Sequence, residues 1–520
     1  MTRPAPASWH HAVAGAVVGV AGVAAMTAMW AVESRSWFAA TAFPPLAAAQ
    51  WLVQRAPGGL DTFAIEHLGH AALPLEATLT AVTLLVIGTM IGAIAGALGG
   101  ARTAIWTPAI VGAMLLPLPG VSFPLVAIAV AVAVAWLVAR CVERRPESPD
   151  VPDTYGGAAA AEPGVQRRSL LIAFGAGLGA MAFGLLGPGG PWRRSATPEV
   201  ALDPLTFQTR AKVPLPAPGD AGFRSIPGLT PRVTSVGDFY VVDEALVDPA
   251  LDPALWSLAI HGEVERPTQW SLDDLLAMPA VERYQTLACI SNPVGGQLIS
   301  TTKWTGVPLA RLLQGAGPSP DVIEVVFRSA DGYSESLPVD IAMDPSTLIA
   351  YGMDGRALPV AHGFPARLLS TGTYGMKNPK WLQDIELVRT PFAGFWETRG
   401  WSKKAVVKTW CRIDTPVSGR QGSGPTTIAG VAFAGARGIA FVEVSTDDGA
   451  TWGRAVTETP LSPYTWVRWS YRWLPAETGL HTIRARAWDG DGVVQPAAFA
   501  PEHPDGASGY PVMAFTIDSL

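Results

Sequence analysis

ERYQTLACISNPVGGQLISTTKWTGVPLARLL, residues 282–313, carries the pattern that best predicts the fold of the C-terminal half. It places Cys289 directly after an apolar, strand-like run and follows it with Ser291, Asn292 and a Gly-Gly turn. Around it, across residues 236–395, short β-like runs alternate with short helical ones. This pattern is typical of one α+β domain.

Three further segments support that prediction. WSLAIHGEV at 256–264 and VIEVVFRSA at 322–330 are β-like runs. SLDDLLAMP at 271–279 predicts a short helix, with Ser271 as N-cap and Asp274 three residues later.

A second chemically rich stretch is HGFPARLLSTGTYGMKNPKWL at 362–382, which contains His362, Arg367, Lys377 and Lys380 among glycines and hydroxyl residues. Arginine offers a planar fork to an anion, lysine a point charge, and glycine lets backbone N–H groups come close. The stretch therefore predicts a site for a phosphorylated or carboxylated ligand. The alternative is a solvated basic face or an ion-pair network.

Cys289 has three possible roles. A cysteine thiolate is a soft ligand for a transition metal, but a lone cysteine is also a common small apolar core residue. Pairing with Cys411 in an oxidising compartment is the third alternative. Only three cysteines occur in the chain, the third being Cys141, and no CxxCH motif is present. An iron–sulfur cluster or a covalently attached haem is therefore not expected.

The C-terminal part, 403–520, has a different pattern. About seven short β-like runs are separated by Gly, Asp and Pro turns, and DDG at 447–449 and DGDG at 489–492 suit tight hairpins. Together they predict an immunoglobulin-like β-sandwich.

Residues 1–190 are dominated by Ala, Val, Leu, Gly and Ile, and only 15% of the whole chain is charged. Long apolar runs predict membrane-spanning helices. We predict an all-α transmembrane anchor of about five spans, followed by a Pro/Gly-rich linker at 191–235. The spans fall at about 12–32, 76–98, 103–118, 121–140 and 169–187.

The basic residues orient this anchor. With five spans and a cytoplasmic N-terminus, the chain after 187 falls outside, and the arginines that fall inside are Arg3, Arg102, Arg140, Arg144, Arg145, Arg167 and Arg168. Residues 36–53, interrupted by two prolines, are then an interfacial or a re-entrant segment. Arg167 and Arg168 before the last span either resemble an internal twin-arginine export signal or serve as a topological anchor. No histidine lies inside a predicted span, so a transmembrane haem is not expected, and the net charge of −6 gives no indication of a nucleic-acid partner.

Five motifs in order, TLACISN, KWTGVPL, DGYSESL, HGFPARLL and YGMKNPKWL, resemble the molybdopterin domain of the sulfite oxidase family, most of all its membrane-anchored bacterial branch. VKTWCRIDTP and the following sandwich are similar to that family's dimerisation domain. The resemblance covers about residues 236–520.

The resemblance implies a molybdenum–molybdopterin cofactor with Cys289 as the protein ligand to the metal and as the catalytic residue. It implies two-electron oxygen-atom transfer on a small oxyanion or sulfoxide-like substrate, with electrons exchanged with an external carrier or a quinone-linked partner. It also implies a homodimer formed through the C-terminal domain, and a multi-pass protein of the cell membrane with its catalytic domain on the extracytoplasmic side. The expected cofactor-binding residues are Tyr240, Val241, Asn292, Ser329, His362, Arg367, Lys377, Asn378, Pro379 and Lys380.

Two departures affect the substrate. Where sulfite oxidases carry Arg-Asn-His, this chain has Val242, Asp243 and Glu244, and the tyrosine that follows the KWL motif in that family has no clear equivalent here. Those groups help to bind an oxyanion substrate in that family, so their absence argues against sulfite and leaves sulfoxides, other oxyanions or a different compound as substrates. The alternative from a different class is a non-catalytic, membrane-tethered binding or adhesion protein on the same scaffold.

Overall fold

The computed structural model describes residues 90, 221–243, 248–417, 419–422 and 424–518. Apart from residue 90, the five predicted spans and most of the predicted linker lie outside this set. Within the described residues, no helix is long and apolar enough to cross a membrane. The described residues 221–243 and 251–518 belong to one compact unit.

The first part of this unit is α+β, as the alternating pattern predicts. Its helices are α1 to α4, at Ala221–Arg224, Leu272–Ala277, Leu309–Ala316 and Val339–Ala342. Its strands are β1 to β10, at Ser257–Gly262, Thr268–Ser271, Val281–Ala288, Ile299–Pro308, Glu324–Ser329, Ser334–Pro338, Leu348–Met353, Arg356–Ala357, Arg367–Leu369 and Leu382–Val388.

Local sequence explains several of these elements. The predicted capping box at the start of α2 is confirmed: the Ser271 hydroxyl accepts a hydrogen bond from the Asp274 backbone, and the Asp274 carboxylate accepts one from the Ser271 backbone. Such a cap satisfies N–H groups that the first helical turn leaves without partners. The β-like runs 256–264 and 322–330 contain β1 and β5 and are therefore also confirmed.

Ten strands form two sheets, ordered β2-β1-β10-β5-β6 and β3-β4-β7-β8, with β9 paired to β7. The pairs β3–β4, β4–β7 and β7–β9 are all antiparallel. The direction of the chain therefore alternates across the second sheet. In register, Arg367 at the start of β9 is aligned through Ala350 and Gly306 with the first residue of β3, at the opposite end of that strand from Cys289. The two chemically rich stretches meet through side chains: Gln285 donates to the Ser370 carbonyl at 2.7 Å, and Arg367 lies over the Trp304 ring.

The C-terminal part consists of two sheets that enclose a common apolar core. Their orders are β11-β13-β17-β16 and β12-β19-β18-β14-β15, and buried residues of both, such as Trp469 and Phe515, belong to one cluster. Six longer strands and the short β12, β15 and β16 make nine described strands, where the sequence predicts about seven. The strands β11 to β19 are Trp410–Thr415, Gly419–Gly422, Thr426–Phe433, Ile439–Ser445, Gly453–Arg454, Val456–Thr457, Val467–Trp473, Gly479–Asp489 and Val512–Asp518.

The two parts share a third core. Ile290 and Tyr374 of the α+β part pack with Val431, Phe433 and Trp466 of the C-terminal part. Apolar area buried between them stabilises both parts together.

The segment 228–243, which includes the end of the predicted linker, is bound to both parts. The Trp466 indole donates to the Arg232 carbonyl at 2.9 Å, and the Thr234 backbone N–H donates to the Thr301 carbonyl at 2.7 Å. The last residues of this segment thereby reach the second sheet, where Phe239 packs edge-on against Trp304 and the Tyr240 backbone N–H donates to the Ser300 hydroxyl.

Candidate cofactor and active site

The Cys289 thiol is largely buried, with 9% of the residue exposed. Its backbone N–H donates to the Leu298 carbonyl at 2.9 Å, and its Sγ lies 2.9 Å from the Ser291 hydroxyl. Burial raises the pKa of the thiol, and hydrogen bonds from Ser291 oppose that rise. Cys289 and Cys411 are both free thiols, so the alternative of a disulfide between them does not occur.

Arg367 is a buried cation, with 5% of the residue exposed. Its guanidinium donates to the His362 carbonyl at 3.1 Å and the Asn378 carbonyl at 2.9 Å, and it lies over the Trp304 ring, 5.4 Å from the centroid. Its Nε has no hydrogen-bond partner, and no carboxylate pairs with it among the residues the structure describes. Burial lowers the pKa of Arg367 to about 10, as expected for a buried guanidinium without an ion-pair partner.

The Tyr240 phenol lies within electrostatic range of both the thiol and the arginine. Its backbone N–H donates to the Ser300 hydroxyl at 3.1 Å. Burial raises the pKa of its phenol, the charge of Cys289 acts in the same direction, and that of Arg367 opposes it. A Cβ at Gly375 would stand 2.8 Å from the Tyr240 hydroxyl, so this close approach requires glycine.

Two other predicted residues lie in the same region. The His362 ring is buried and packs edge-on against Phe239 at 5.4 Å, with Nε2 3.3 Å from the Val236 carbonyl. The Ser329 hydroxyl is buried and has no hydrogen-bond partner among the described residues. A buried hydroxyl without a partner is costly unless a ligand satisfies it.

The Lys377 side chain is buried and binds protein groups. Its ammonium, 2% exposed, donates to Glu335 at 2.7 Å, to Glu397 at 2.5 Å and to the Ser336 carbonyl at 3.2 Å. These contacts occupy all three donors of the ammonium. For Lys377 the geometry therefore corresponds to the ion-pair alternative, and a cofactor contact would have to displace one of these partners.

The residues after Lys377 mainly shape the loop. The Asn378 side chain donates to the Tyr374 carbonyl at 3.0 Å and accepts from the Ser370 backbone at 2.7 Å. The Pro379 carbonyl accepts from the Leu368 backbone at 2.9 Å.

Lys380 donates to the Ala361 carbonyl at 2.9 Å and forms an ion pair with Asp243. Asp243 belongs to the tripeptide at which the sequence departs from the sulfite oxidases. Val241 is half-buried beside it.

Asn292 also has a structural contact, since its Oδ1 accepts from the Leu298 backbone at 2.8 Å. The structure thus groups Cys289, Tyr240 and Arg367, whereas Asn292 and Lys377 direct their side chains to protein partners.

Sequence reasoning missed several residues of this region. Ser291 contacts the thiol, and Tyr374 is buried with its hydroxyl accepting from the Lys408 backbone at 3.2 Å. Arg412 reaches the loop after Cys289 from the C-terminal part, donating to the Gly296 carbonyl at 2.8 Å. Only Ser291 carries a local signal, its position two residues after the cysteine.

Comparison with known proteins agrees with this geometry. Residues 245–396 match the oxidoreductase molybdopterin binding domain, and residues 403–501 match the Mo-co oxidoreductase dimerisation domain.

Three relatives illustrate the similarity. The chain is 33% identical over 152 residues to the putative protein-methionine-sulfoxide reductase subunit YedZ1 of Azospira oryzae, covering 29% of this chain and 56% of the relative. It is 30% identical over 302 residues to mitochondrial sulfite oxidase of Mus musculus, covering 49% and 55%. It is 35% identical over 196 residues to the protein-methionine-sulfoxide reductase catalytic subunit MsrP of Xanthomonas campestris, covering 33% and 59%. The chain thus spans a little over half the length of each of these relatives.

Proposed function

Because this chain belongs to the sulfite oxidase family of molybdopterin oxidoreductases, we propose that it catalyses two-electron oxygen-atom transfer on a small oxyanion or sulfoxide-like substrate. The observation that supports this most is the position of Arg367. A buried guanidinium with a free Nε and the buried Cys289 thiol both lie within electrostatic range of the Tyr240 phenol, whose pKa they shift in opposite directions. A molybdopterin needs a thiolate at one end and a phosphate site at the other.

The described residues fit such a group. The Cys289 sulfur would ligate the metal as a thiolate, and Arg367 would pair with the phosphate, which offsets the cost of burying its charge. The buried Ser329 hydroxyl would find its missing partner on the cofactor, and Gly375 leaves room beside Tyr240. When bound, the cofactor supplies the metal centre for the oxygen-atom exchange, and the protein positions and tunes it.

The charge near the site favours a weakly charged substrate. Where sulfite oxidases have a basic tripeptide, Asp243 pairs with Lys380 in this chain. One local cation is thereby neutralised, so an anion such as sulfite would meet a less positive potential, whereas binding of a neutral sulfoxide does not depend on that potential. We therefore place sulfoxides ahead of sulfite as the substrate class.

Metal and pterin analysis of the purified full chain tests the cofactor. We expect about one molybdenum and one pterin per chain in the wild type, with oxygen-atom transfer to or from at least one of methionine sulfoxide and sulfite. A fully folded wild type that lacks both metal and pterin after expression in a cofactor-producing host would refute the proposal and favour the binding-protein alternative.

The membrane arrangement belongs to the same proposal. Residues 1–190 would anchor the protein with the catalytic domain outside, and the immunoglobulin-like C-terminal domain would join two copies. Since the cofactor domain is folded before export, Arg167 and Arg168 would direct it through the twin-arginine route. Replacing both by lysine keeps the charge, and should leave a protease-protected domain in the cytoplasm. Normal external display of that variant would show that the pair is only a topological anchor.

A further inference from the structure

The loop 291–298, between β3 and β4, is closed by its own hydrogen bonds. Asn292 Oδ1 accepts from the Leu298 backbone at 2.8 Å, and the Leu298 carbonyl accepts from the Cys289 backbone at 2.9 Å. A Cβ at Gly296 would collide with Asn292 Oδ1. The loop is therefore tight, and the place of each of its groups relative to Cys289 is set by these contacts.

Ser291 is the first residue of this loop, and its hydroxyl lies 2.9 Å from the Cys289 sulfur. A sulfur that ligates a metal is a thiolate and has no proton to give. In the loaded protein the hydroxyl must therefore be the donor and the sulfur the acceptor. A hydrogen bond donated to a ligand sulfur withdraws electron density from it, so the sulfur donates less to the metal and the reduced state is favoured.

Arg412 of β11 holds the far side of the loop. It is 3% exposed and makes three hydrogen bonds. Its Nε donates to Asp414 at 2.6 Å, one terminal nitrogen to the Thr230 hydroxyl at 2.8 Å, and the other to the Gly296 carbonyl at 2.8 Å. Because the guanidinium is planar and two of its contacts lie outside the loop, the third fixes the loop against the C-terminal domain.

From these contacts we propose that Ser291 is a tuning residue for the cofactor metal, acting through a hydrogen bond to the Cys289 sulfur, and that Arg412 is the positioning residue that keeps its loop in register. This rests on the proposed function, since it requires a metal on Cys289. The alanine variant of Ser291 should bind the metal normally. Its reduction potential should be lower, because a thiolate that accepts no hydrogen bond donates more to the metal and favours the oxidised state.

The test uses the loaded full-length protein and measures the reduction potential of the bound molybdenum by EPR-monitored titration, together with metal content. We expect a negative shift for Ser291→Ala, recovery of the wild-type value for Ser291→Thr, and no change for Ser271→Ala, whose hydroxyl caps α2 instead. An unchanged potential in Ser291→Ala would overturn the tuning role. So would loss of the metal in that variant, because the hydroxyl would then be needed for binding.

A second pair of variants tests the positioning role. Arg412→Lys keeps the charge but cannot make all three directed contacts, so we expect a smaller negative shift than in Ser291→Ala. Arg468→Lys is the matched control, since Arg468 is equally buried but pairs with Glu458, away from the loop. Equal potentials in the two lysine variants would overturn the role of Arg412. Absence of molybdenum from the wild type would instead refute the proposed function itself.

Discussion

Replacing Arg367 by methionine separates the energetic cost of burying its charge from the contribution of that charge to cofactor binding. Burial lowers the pKa of Arg367 from 12.5 to about 10, which corresponds to about 3 kcal/mol at about 1.4 kcal/mol per tenfold change. The variant regains that energy. It loses donors to the carbonyls of His362 and Asn378, and each buried acceptor left without a partner costs about 1–3 kcal/mol. The two effects oppose each other, so the cofactor-free protein should change in stability by no more than about 3 kcal/mol.

Cofactor binding should respond very differently. A hydrogen bond from a charged donor contributes about 1.5–3 kcal/mol, so losing the guanidinium should weaken binding at least about tenfold. We expect Arg367→Met to be purified folded but depleted of pterin and molybdenum. The thermal stabilisation that the cofactor gives to the wild type should shrink accordingly.

The assay compares pterin content, metal content and melting temperature with and without cofactor. Arg283→Met is the control, because burial also lowers the pKa of Arg283 to about 10 while its guanidinium donates to Gln285 at 2.6 Å. That variant should retain cofactor. Wild-type pterin content in Arg367→Met after extensive dialysis would refute the phosphate-binding role.

Three further outcomes follow from the structure. Cys289→Ser should abolish molybdenum-dependent turnover while the circular dichroism stays native, because serine oxygen is a harder donor; wild-type turnover would contradict the metal assignment. Cys411→Ser should keep turnover and metal but lower the free energy of unfolding by about 1–3 kcal/mol, measured by urea titration, since it places a hydroxyl in an apolar core. Burial, with the like charge of Glu397 adding to it, raises the pKa of Glu335 from 4.5 to about 8 despite Lys377. Its contribution to stability is therefore full below about pH 4.5 and lost as the pH rises through about 8. Glu335→Gln should reduce the fall of the free energy of unfolding with pH, measured by urea titration at several pH values. An unchanged slope of that free energy against pH would contradict this prediction.

Local pattern predicts the elements of this fold well, because their causes are local. The capping box of α2 uses two side chains three residues apart, and the longer strands carry runs of β-forming residues. The place of Cys289 at the end of a strand is visible for the same reason.

Such local patterns do not predict which side chains pair when they lie far apart in the sequence. Lys377 lies in a basic stretch that suits an anion, yet its partners Glu335 and Glu397 are 42 and 20 residues away. Which of several basic residues turns inward depends on where the sheets place the carboxylates. Arg367 remains without a carboxylate partner among the described residues for the same reason, and no count of charges along the chain separates it from Lys377.

The C-terminal domain contributes to the site as well as to stability. The Thr286 hydroxyl, on the strand that leads to Cys289, accepts from the Trp466 backbone at 2.8 Å. The Trp466 indole donates to the segment that contains Tyr240. Arg412 fixes the loop on the other side of the thiol. Cys289 is thus held through its strand, its loop and the facing segment, each of which is bonded to the C-terminal domain. The C-terminal domain therefore restrains the backbone on both sides of the thiol, which is the rigidity that a metal ligand at Cys289 would require.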